Sequence, residues 1–128
     1  MNRFSDISLE RLQGVHPDLQ TLFLEVIKHR DCSVTSGLRT EAEQAKLYAK
    51  GRTKPGKIVT NTLNSYHLTG NAIDVVPFPE KWDEVALRDF GNFVKGIAVM
   101  LKVYGAIDNV IEWGGDFKKF KDKPHWQI

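Results

Sequence analysis

Two histidines and an aspartate have the types and spacing of metal ligands. His67 and Asp74 lie seven positions apart in SYHLTGNAID, with Gly70 between them. The carboxylate of Asp74 stands among the apolar residues of NAIDVV, so it needs a partner, because an unpaired buried charge is strongly destabilising. A metal ion is one such partner, and an arginine or a set of backbone N–H groups is another.

A histidine near the end of the chain favours the metal. His125 follows Pro124 in KDKPHWQI, and Asp122 stands three residues before it. Two histidines and one aspartate supply three protein ligands and leave the fourth tetrahedral position for water, as in catalytic zinc sites. Asp122 would then be close enough to accept a proton from that water. The alternative is that Asp122 is a solvated charge among the lysines of KKFKDK.

The other histidines and the single cysteine fit structural roles. His16 precedes a helix start and His29 lies near the end of that helix, where imidazoles act as caps or interact with the helix dipole. Cys32 lies in RDCSVTSG, at the start of a predicted strand, and is expected to be a buried thiol and not a nucleophile. One cysteine allows no internal disulfide, which suits a reducing cytosol.

Length and composition predict one globular domain. The chain has 128 residues, of which 41% are hydrophobic and 27% charged. The formal net charge is +2 and no basic block stands out, so a dedicated nucleic-acid binder is not predicted. We find no signal-peptide pattern and no apolar run approaching about 18 residues, so we expect no export signal and no membrane insertion.

Helical and strand patterns follow one another along the chain. Apolar periodicity predicts helices in HPDLQTLFLEVIKHR and in EVALRDFGNFVKGIAVMLKVYG, where the apolar stripe ends at Tyr104. A third helix, TEAEQAKLYAKG, begins with Thr40 and Glu43 at capping-box spacing. Strands are predicted in CSVTSG, NAIDVVPF, NVIEWGG and KPHWQI, and a long loop with at most a short strand in 52–64. These elements predict an α+β domain over residues 1–128, with a small, mostly antiparallel sheet flanked by about three helices.

Several motifs together resemble a known group of zinc peptidases. SYHLTGNAID resembles the metal-binding segment of the D-alanyl-D-alanine carboxypeptidase-like group, which includes VanY-like and hedgehog-like folds. SGLRTEAEQAKLYAKGRTKPGKIVTN and EWGGDFKKFKDKPHWQ resemble the flanking motifs of one branch, the phage endolysins that act as L-alanoyl-D-glutamate endopeptidases. The resemblance covers nearly three quarters of the chain, with all motifs in order.

The resemblance assigns roles to the residues of the predicted metal site. It implies that His67, Asp74 and His125 bind one zinc ion and that Asp122 is the general base. It also implies that Arg39, in SGLRT, binds the substrate or stabilises the oxyanion, which agrees with the chemistry of an arginine beside a reacting carbonyl.

Four further residues are associated with the site, and three of them have an alternative. Gln44 is expected to have a polar, substrate-binding role or to be an exposed helix residue. Ser65 is expected to bind the substrate or to support the metal site through its hydroxyl, and the alternative is that it only forms the turn. Trp113 and Glu112 fit the family's EWGG pattern, and we expect Trp113 to contact the substrate. Glu112 competes with Asp122 as the base, since related carboxypeptidases use a glutamate.

The function implied is that of a zinc-dependent endolysin that hydrolyses the L-alanyl-D-glutamate bond of the peptidoglycan stem peptide. The alternatives are a D-alanyl-D-alanine carboxypeptidase, a non-enzymatic zinc-containing binding module, and a glycosidase that uses Glu112 and Asp122. We expect a monomer without a separate cell-wall-binding domain. It would remain in the host cytoplasm until lysis and reach the cell wall, in the periplasm, after a membrane-permeabilising protein (a holin) acts.

Overall fold

A computed structural model describes residues 2–128 as a four-stranded sheet with four α-helices and two short 3-10 turns. The helices are α1 (Asp6–Gln13), α2 (Pro17–Val26), α3 (Glu41–Ala49) and α4 (Glu84–Val103). The strands are β1 (Cys32–Ser36), β2 (Ala72–Pro77), β3 (Glu112–Trp113) and β4 (His125–Gln127). Within residues 2–128, no helix combines the length and apolar character needed to cross a bilayer.

The α+β prediction is confirmed, and the structure has four α-helices where about three are expected. Helix α1 is the additional element. Ser5 caps its N-terminus by accepting a hydrogen bond from Ser8 N at 3.1 Å. Only Ser8 and Leu12 of this short helix are buried, so the segment carries no apolar stripe for a periodicity argument to detect.

The sheet brings the predicted ligands together through its register. Its strands run antiparallel in the order β1-β2-β4-β3. Asp74, on the central strand β2, is directly opposite Ser36 of β1 on one side and His125 of β4 on the other. Directly opposed residues of antiparallel strands have Cβ atoms about 4.5–5.5 Å apart. The register therefore places His125 beside Asp74 although 51 positions separate them.

Helices α2 and α4 pack with the sheet to form the hydrophobic core. Burying a leucine or phenylalanine side chain contributes roughly 1.5–3 kcal/mol, so this layer is a main source of stability. Its buried members include Leu19, Leu22, Phe23 and Val26 from α2, Phe90, Val94 and Leu101 from α4, and Ile73, Val75 and Trp126 from the sheet. The predicted extension of the α4 stripe to Tyr104 is wrong, because the helix ends there and the side chain is 81% exposed.

Strand alternation separates the core from the candidate site. Ile73 and Val75 belong to the core, and successive side chains of a strand point to opposite faces. The side chain of Asp74, between them, therefore emerges on the other face of β2, where it meets polar partners. The same sheet thus supplies both the apolar layer and the position of the carboxylate.

The helix caps agree with the sequence expectations. The His16 ring caps α2, with Nδ1 accepting a hydrogen bond from Asp18 N at 3.0 Å. Thr40 and Glu43 form the predicted capping box of α3, with hydrogen bonds of 2.9 and 3.1 Å. His29 is exposed, with its ring 3.2 Å from a carboxylate oxygen of Glu25, so it plays no part in the candidate site.

The remaining expectations concern a loop and the cysteine. Residues 52–64 form the predicted loop, where an isolated bridge pairs Lys50 with Lys54. Cys32 is buried, as expected, and burial raises the pKa of its thiol to about 12. A thiol with that pKa is protonated at neutral pH and is a poor nucleophile.

Candidate active site

The side chains of His67, Asp74 and His125 converge on one point. Asp74 Oδ1 lies 3.3 Å from His67 Nε2 and 3.2 Å from His125 Nδ1. One ligand atom from each residue lies within 4.8 Å of the other two. A tetrahedral zinc ion with bonds of about 2.0–2.1 Å would separate its ligand atoms by about 3.3–3.4 Å. The three residues predicted as ligands therefore form a group that can bind a metal ion.

His67 is oriented by the 3-10 turn Tyr66–Thr69. Ser65 caps this turn, because its hydroxyl accepts a hydrogen bond from His67 N at 3.1 Å. The turn ends at Gly70, whose φ of 77° lies in the left-handed region that glycine adopts without strain. The His67 ring is buried, and its Nδ1 donates to Gly37 O at 2.8 Å. This bond directs Nε2 towards Asp74.

His125 is oriented by side chains, through a residue that the sequence analysis missed. Its Nε2 donates to Gln127 Oε1 at 2.8 Å, and Gln127 Nε2 donates in turn to Glu112 Oε1 at 3.0 Å. Nδ1 of His125 therefore faces Asp74. The available signal was spacing, because residues two apart on a strand lie on the same face.

The donor set and its surroundings fit a zinc ion. Two imidazole nitrogens and one carboxylate oxygen are typical of zinc sites with an open fourth position. Metal-binding histidines usually donate their other ring N–H to a nearby oxygen, which fixes the tautomer and the ring orientation. Both His67 and His125 have such an acceptor at 2.8 Å.

The carboxylate of Asp74 is held in its ionised form. Burial by itself would raise its pKa, but the imidazoles of His125 and His67, which donate to Asp74 and carry positive charge when they are protonated, outweigh burial and hold the pKa of Asp74 well below its usual range. Arg39 adds an ion pair, with Nη2 lying 3.2 Å from Asp74 Oδ2. The site therefore offers a negative oxygen to a cation.

Arg39 is fixed at the edge of the cluster. Its backbone N–H donates to His67 O at 2.9 Å, which joins it directly to the histidine turn. Its guanidinium donates to three acceptors, Ser36 Oγ at 3.0 Å, Gln44 Oε1 at 3.0 Å and Asp74 Oδ2 at 3.2 Å. A guanidinium has five N–H groups, so these bonds leave capacity for a further oxygen.

The side chain of Gln44 holds Arg39 in place through a hydrogen bond to its guanidinium. Its side chain is 1% exposed, so the alternative of an exposed helix residue is wrong. Its Nε2 donates to Thr62 O at 2.8 Å and approaches Thr60 Oγ1 at 3.3 Å, which ties the 52–64 loop to α3. A side chain so deeply buried does not reach a substrate, and this corrects the predicted direct contact. Gln44 acts on the site through Arg39 and the loop.

Asp122 lies beside the cluster on its open side. Its Oδ2 is 3.8 Å from His125 Nδ1, and its side chain is half exposed. Partial burial and then the negative charge of Asp74 raise the pKa of the Asp122 carboxyl, although nearby positive groups oppose the shift. The location of Asp122 beside the cluster does not agree with the alternative of a fully solvated charge among the lysines of KKFKDK.

Glu112 and Trp113, the two residues of the EWGG motif, lie away from the reacting position. Glu112 is exposed and contacts Gln127 behind His125, so the structure does not support its candidacy as the base. Trp113 is 5% exposed, stacks on Trp126 with ring centroids 5.7 Å apart, and donates from Nε1 to Lys123 O at 2.7 Å. The predicted substrate contact of Trp113 is therefore wrong, because the indole is part of the core.

A cleft of about 840 Å³ opens over the cluster. His67, Asp74, His125, Arg39 and Asp122 all line it, together with residues of the 58–66 and 117–124 segments. Ser65 also contributes to its wall, in addition to capping the histidine turn. The volume lies within the range of about 300–1,000 Å³ typical of small-molecule sites.

Comparisons with known proteins agree with this geometry. Residues 1–126 match the family model described as phage L-alanyl-D-glutamate peptidase. The chain is 37% identical over 101 residues to the peptidoglycan L-alanyl-D-glutamate endopeptidase CwlK of Bacillus subtilis, covering 77% of this chain and 60% of that protein. The crystal structure of the L-Ala D-Glu endopeptidase ChiX of Serratia marcescens superposes with a TM-score of 0.73 and 32% identity, covering 99% of this chain and 90% of ChiX. The resemblance seen in the sequence motifs is confirmed, and the chain belongs to the phage L-alanyl-D-glutamate peptidase family.

Proposed function

We propose that this protein is a zinc-dependent peptidoglycan endopeptidase that hydrolyses the L-alanyl-D-glutamate bond of the stem peptide. The observation that carries the proposal is the convergence of His67, Asp74 and His125, with Asp122 at 3.8 Å from the His125 ring on the open side. Family membership supports the choice of bond, and CwlK and ChiX are both named for that activity.

The three ligands would bind one zinc ion, which would supply the Lewis acidity that polarises the scissile carbonyl and activates water near neutral pH. Asp122 would accept the proton of the attacking water and return it to the leaving amine. Its position on the cleft wall leaves it accessible to both water and substrate.

Arg39 would stabilise the negative charge that develops on the carbonyl oxygen. Its guanidinium is pre-organised by Ser36, Gln44 and Asp74, so little reorganisation is needed when that charge forms. Fixed donors of this kind contribute most when their own partners restrict them, and Gln44 supplies that restriction from a buried position.

The proposal also covers the domain organisation, the oligomeric state, the partner and the location of the protein. Residues 1–128 would act as a single zinc peptidase domain, because the site draws on residues from Ser36 to Gln127. We propose a monomer that acts on peptidoglycan, with no nucleic acid as partner. As a member of a phage family, the protein would wait in the host cytoplasm and reach the wall after a holin opens the membrane.

The test is product analysis by mass spectrometry on purified peptidoglycan. We expect peptides with a new free amine on D-glutamate, while L-alanine stays on the glycan, and we expect EDTA to abolish their release. Release of D-alanine alone would instead identify a carboxypeptidase. New reducing sugar ends that are insensitive to EDTA would identify a glycosidase.

A further inference from the structure

Three aromatic residues of the cleft are exposed, Tyr66, Trp82 and Phe120, and Trp82 and Phe120 are the two most exposed. Trp82 is 62% exposed and Phe120 is 74% exposed, and both line the cleft that contains His67, Asp74 and His125. Exposed aromatic surface beside a binding cleft is a feature of sites that contact a partner. The mechanism above uses neither residue.

Both aromatics are carried by anchored segments. Trp82 directly precedes Asp83, which caps α4 by accepting a hydrogen bond from Ala86 N at 2.9 Å. Lys123 Nζ lies 2.7 Å from Glu84 Oε2, so an ion pair joins the start of α4 to the segment that follows Phe120. The ion pair therefore brings the segment that carries Trp82 close to the segment that carries Phe120.

The backbone at Phe120 is also unusual. Its φ of 51° lies in the left-handed region, where non-glycine residues are uncommon. Such conformations cost free energy and are found preferentially at ligand clamps and active sites. The exposed ring of Phe120 is thus carried by a strained bend that lines the cleft.

The bond that the protein is proposed to cut specifies what lies near the cleft. In peptidoglycan the L-alanine of the stem peptide is amide-linked to the lactyl group of a muramic acid sugar. One extended residue spans about 3.3–3.6 Å, so the sugar follows closely on the N-terminal side of the scissile bond. Sugar rings present apolar C–H faces that stack on aromatic rings, and their hydroxyls bind polar groups such as Asn61 and Asn64 of the cleft.

We propose that Trp82 and Phe120 form a sugar-binding surface that contacts the muramic acid residue attached to L-alanine. This inference rests on the proposed function, since it assumes cleavage next to that residue. It makes the glycan part of the recognised substrate, whereas the catalytic residues act only on the peptide.

The test compares two substrates that share the same scissile bond. One is a soluble disaccharide-tetrapeptide and the other is the matching N-acetylated tetrapeptide without sugar. We expect the zinc-loaded wild type to prefer the sugar-bearing substrate. Trp82→Ala and Phe120→Ala should each lower kcat/KM for that substrate about 3- to 10-fold, mainly through KM, and by more than for the free peptide. Trp82→Phe should retain most of the preference.

Tyr104→Ala is the matched control, because Tyr104 is an exposed aromatic at the end of α4 that does not line the cleft. It should not change either rate. Equal losses on both substrates for Trp82→Ala would overturn the proposal, because the ring would then contact the peptide. A wild-type enzyme that cleaves neither substrate would refute the proposed function itself, which is a distinguishable result.

A second readout measures binding at the sugar side alone. N-acetylmuramyl-L-alanine should inhibit hydrolysis of the free peptide more strongly than N-acetyl-L-alanine does. Trp82→Ala should remove most of that difference. Equal inhibition by the two compounds in the wild type would contradict a sugar-binding surface.

Discussion

The two imidazoles that face Asp74 are oriented by different kinds of partner. His67 donates its outer N–H to a backbone carbonyl, Gly37 O, in a buried position next to Arg39. His125 donates to the side chain of Gln127, which is bonded in turn to the exposed Glu112. The first histidine is thus oriented by the fold, and the second by side chains that a point mutation can remove.

The two sides of the candidate site differ in how enclosed they are. The His67 side is enclosed by Arg39 and the buried Gln44, which are suited to fixing geometry. The His125 side carries Asp122 and opens to the cleft, where the proposed proton transfer and substrate binding would take place. We therefore expect mutations on the open side to alter individual steps, and mutations on the enclosed side to affect stability as well.

The largest expected effect is loss of a ligand. His67→Ala and His125→Ala should both lose bound zinc and all measurable hydrolysis, because two remaining protein ligands do not hold a catalytic zinc ion. Metal analysis of the purified variants and a peptidoglycan digestion assay would check this. Wild-type zinc content in either variant would contradict the assignment of that histidine.

Asp122→Ala should separate chemistry from metal binding. Zinc content should stay at the wild-type level, while kcat/KM falls about 10²- to 10⁴-fold, the usual contribution of a general base. Asp116→Ala is the matched control, because Asp116 is a partly exposed acid of the preceding segment that pairs with Lys95. An Asp122→Ala enzyme with a normal rate would rule out the proposed role.

Gln127→Ala tests the side-chain support of His125. It removes the acceptor of the ring N–H, so we expect zinc affinity to fall about 10- to 100-fold, as for other outer partners of metal ligands. Chelator competition would measure the affinity. Glu112→Ala should have a smaller effect because it acts through Gln127. Unchanged affinity in Gln127→Ala would mean that the fold alone orients His125.

Gln44→Ala tests the enclosed side. The change removes the buried side chain of Gln44 together with its hydrogen bonds to Arg39 and to Thr62 O, so we expect a loss of about 1–3 kcal/mol in the free energy of unfolding. Urea denaturation would measure it, with exposed Glu41→Ala on the same helix as the control. We also expect a lower kcat with unchanged zinc content. Full stability and activity would show that the Gln44 contacts are dispensable.

The smallest expected effect is at Cys32, at the opposite end of β1 from Ser36. Its pKa is raised to about 12 by burial, so the thiol is protonated at pH 8 and the reactive thiolate is scarce. A chromogenic disulfide reagent should label the native protein slowly and the denatured protein fast. Rapid labelling of the native form, with loss of activity, would show that this end of the sheet communicates with the site.

The features that the sequence predicts correctly depend on residues close together in the chain. The capping box of Thr40 and Glu43 and the cap at His16 depend on neighbours within a few positions, and both are present. The helices α2 and α4 have apolar stripes that periodicity reveals. Helix α1 has no such stripe, because it buries only Ser8 and Leu12.

The sequence does not predict which side chains are buried by contacts with residues more distant in the chain. Trp113 and Gln44 were both expected to touch substrate, yet each is buried by elements far away in the chain. A methyl group at Gly91 of α4 would collide with the Trp113 indole, which shows how closely that helix covers it. The contacts of Gln44 with Thr60 and Thr62 depend on how the loop folds back.

The sequence by itself determined which chemistry this protein can carry, because residue type decides what binds a metal or accepts a proton. It singled out His67, Asp74 and His125 as candidate metal ligands and Asp122 as a candidate base, and it indicated the family. Only the tertiary structure decided how these groups are arranged. The antiparallel register sets Asp74 opposite His125, and long-range contacts decide which ring nitrogen faces inward, which polar side chains are buried, and which aromatics stay exposed on the cleft.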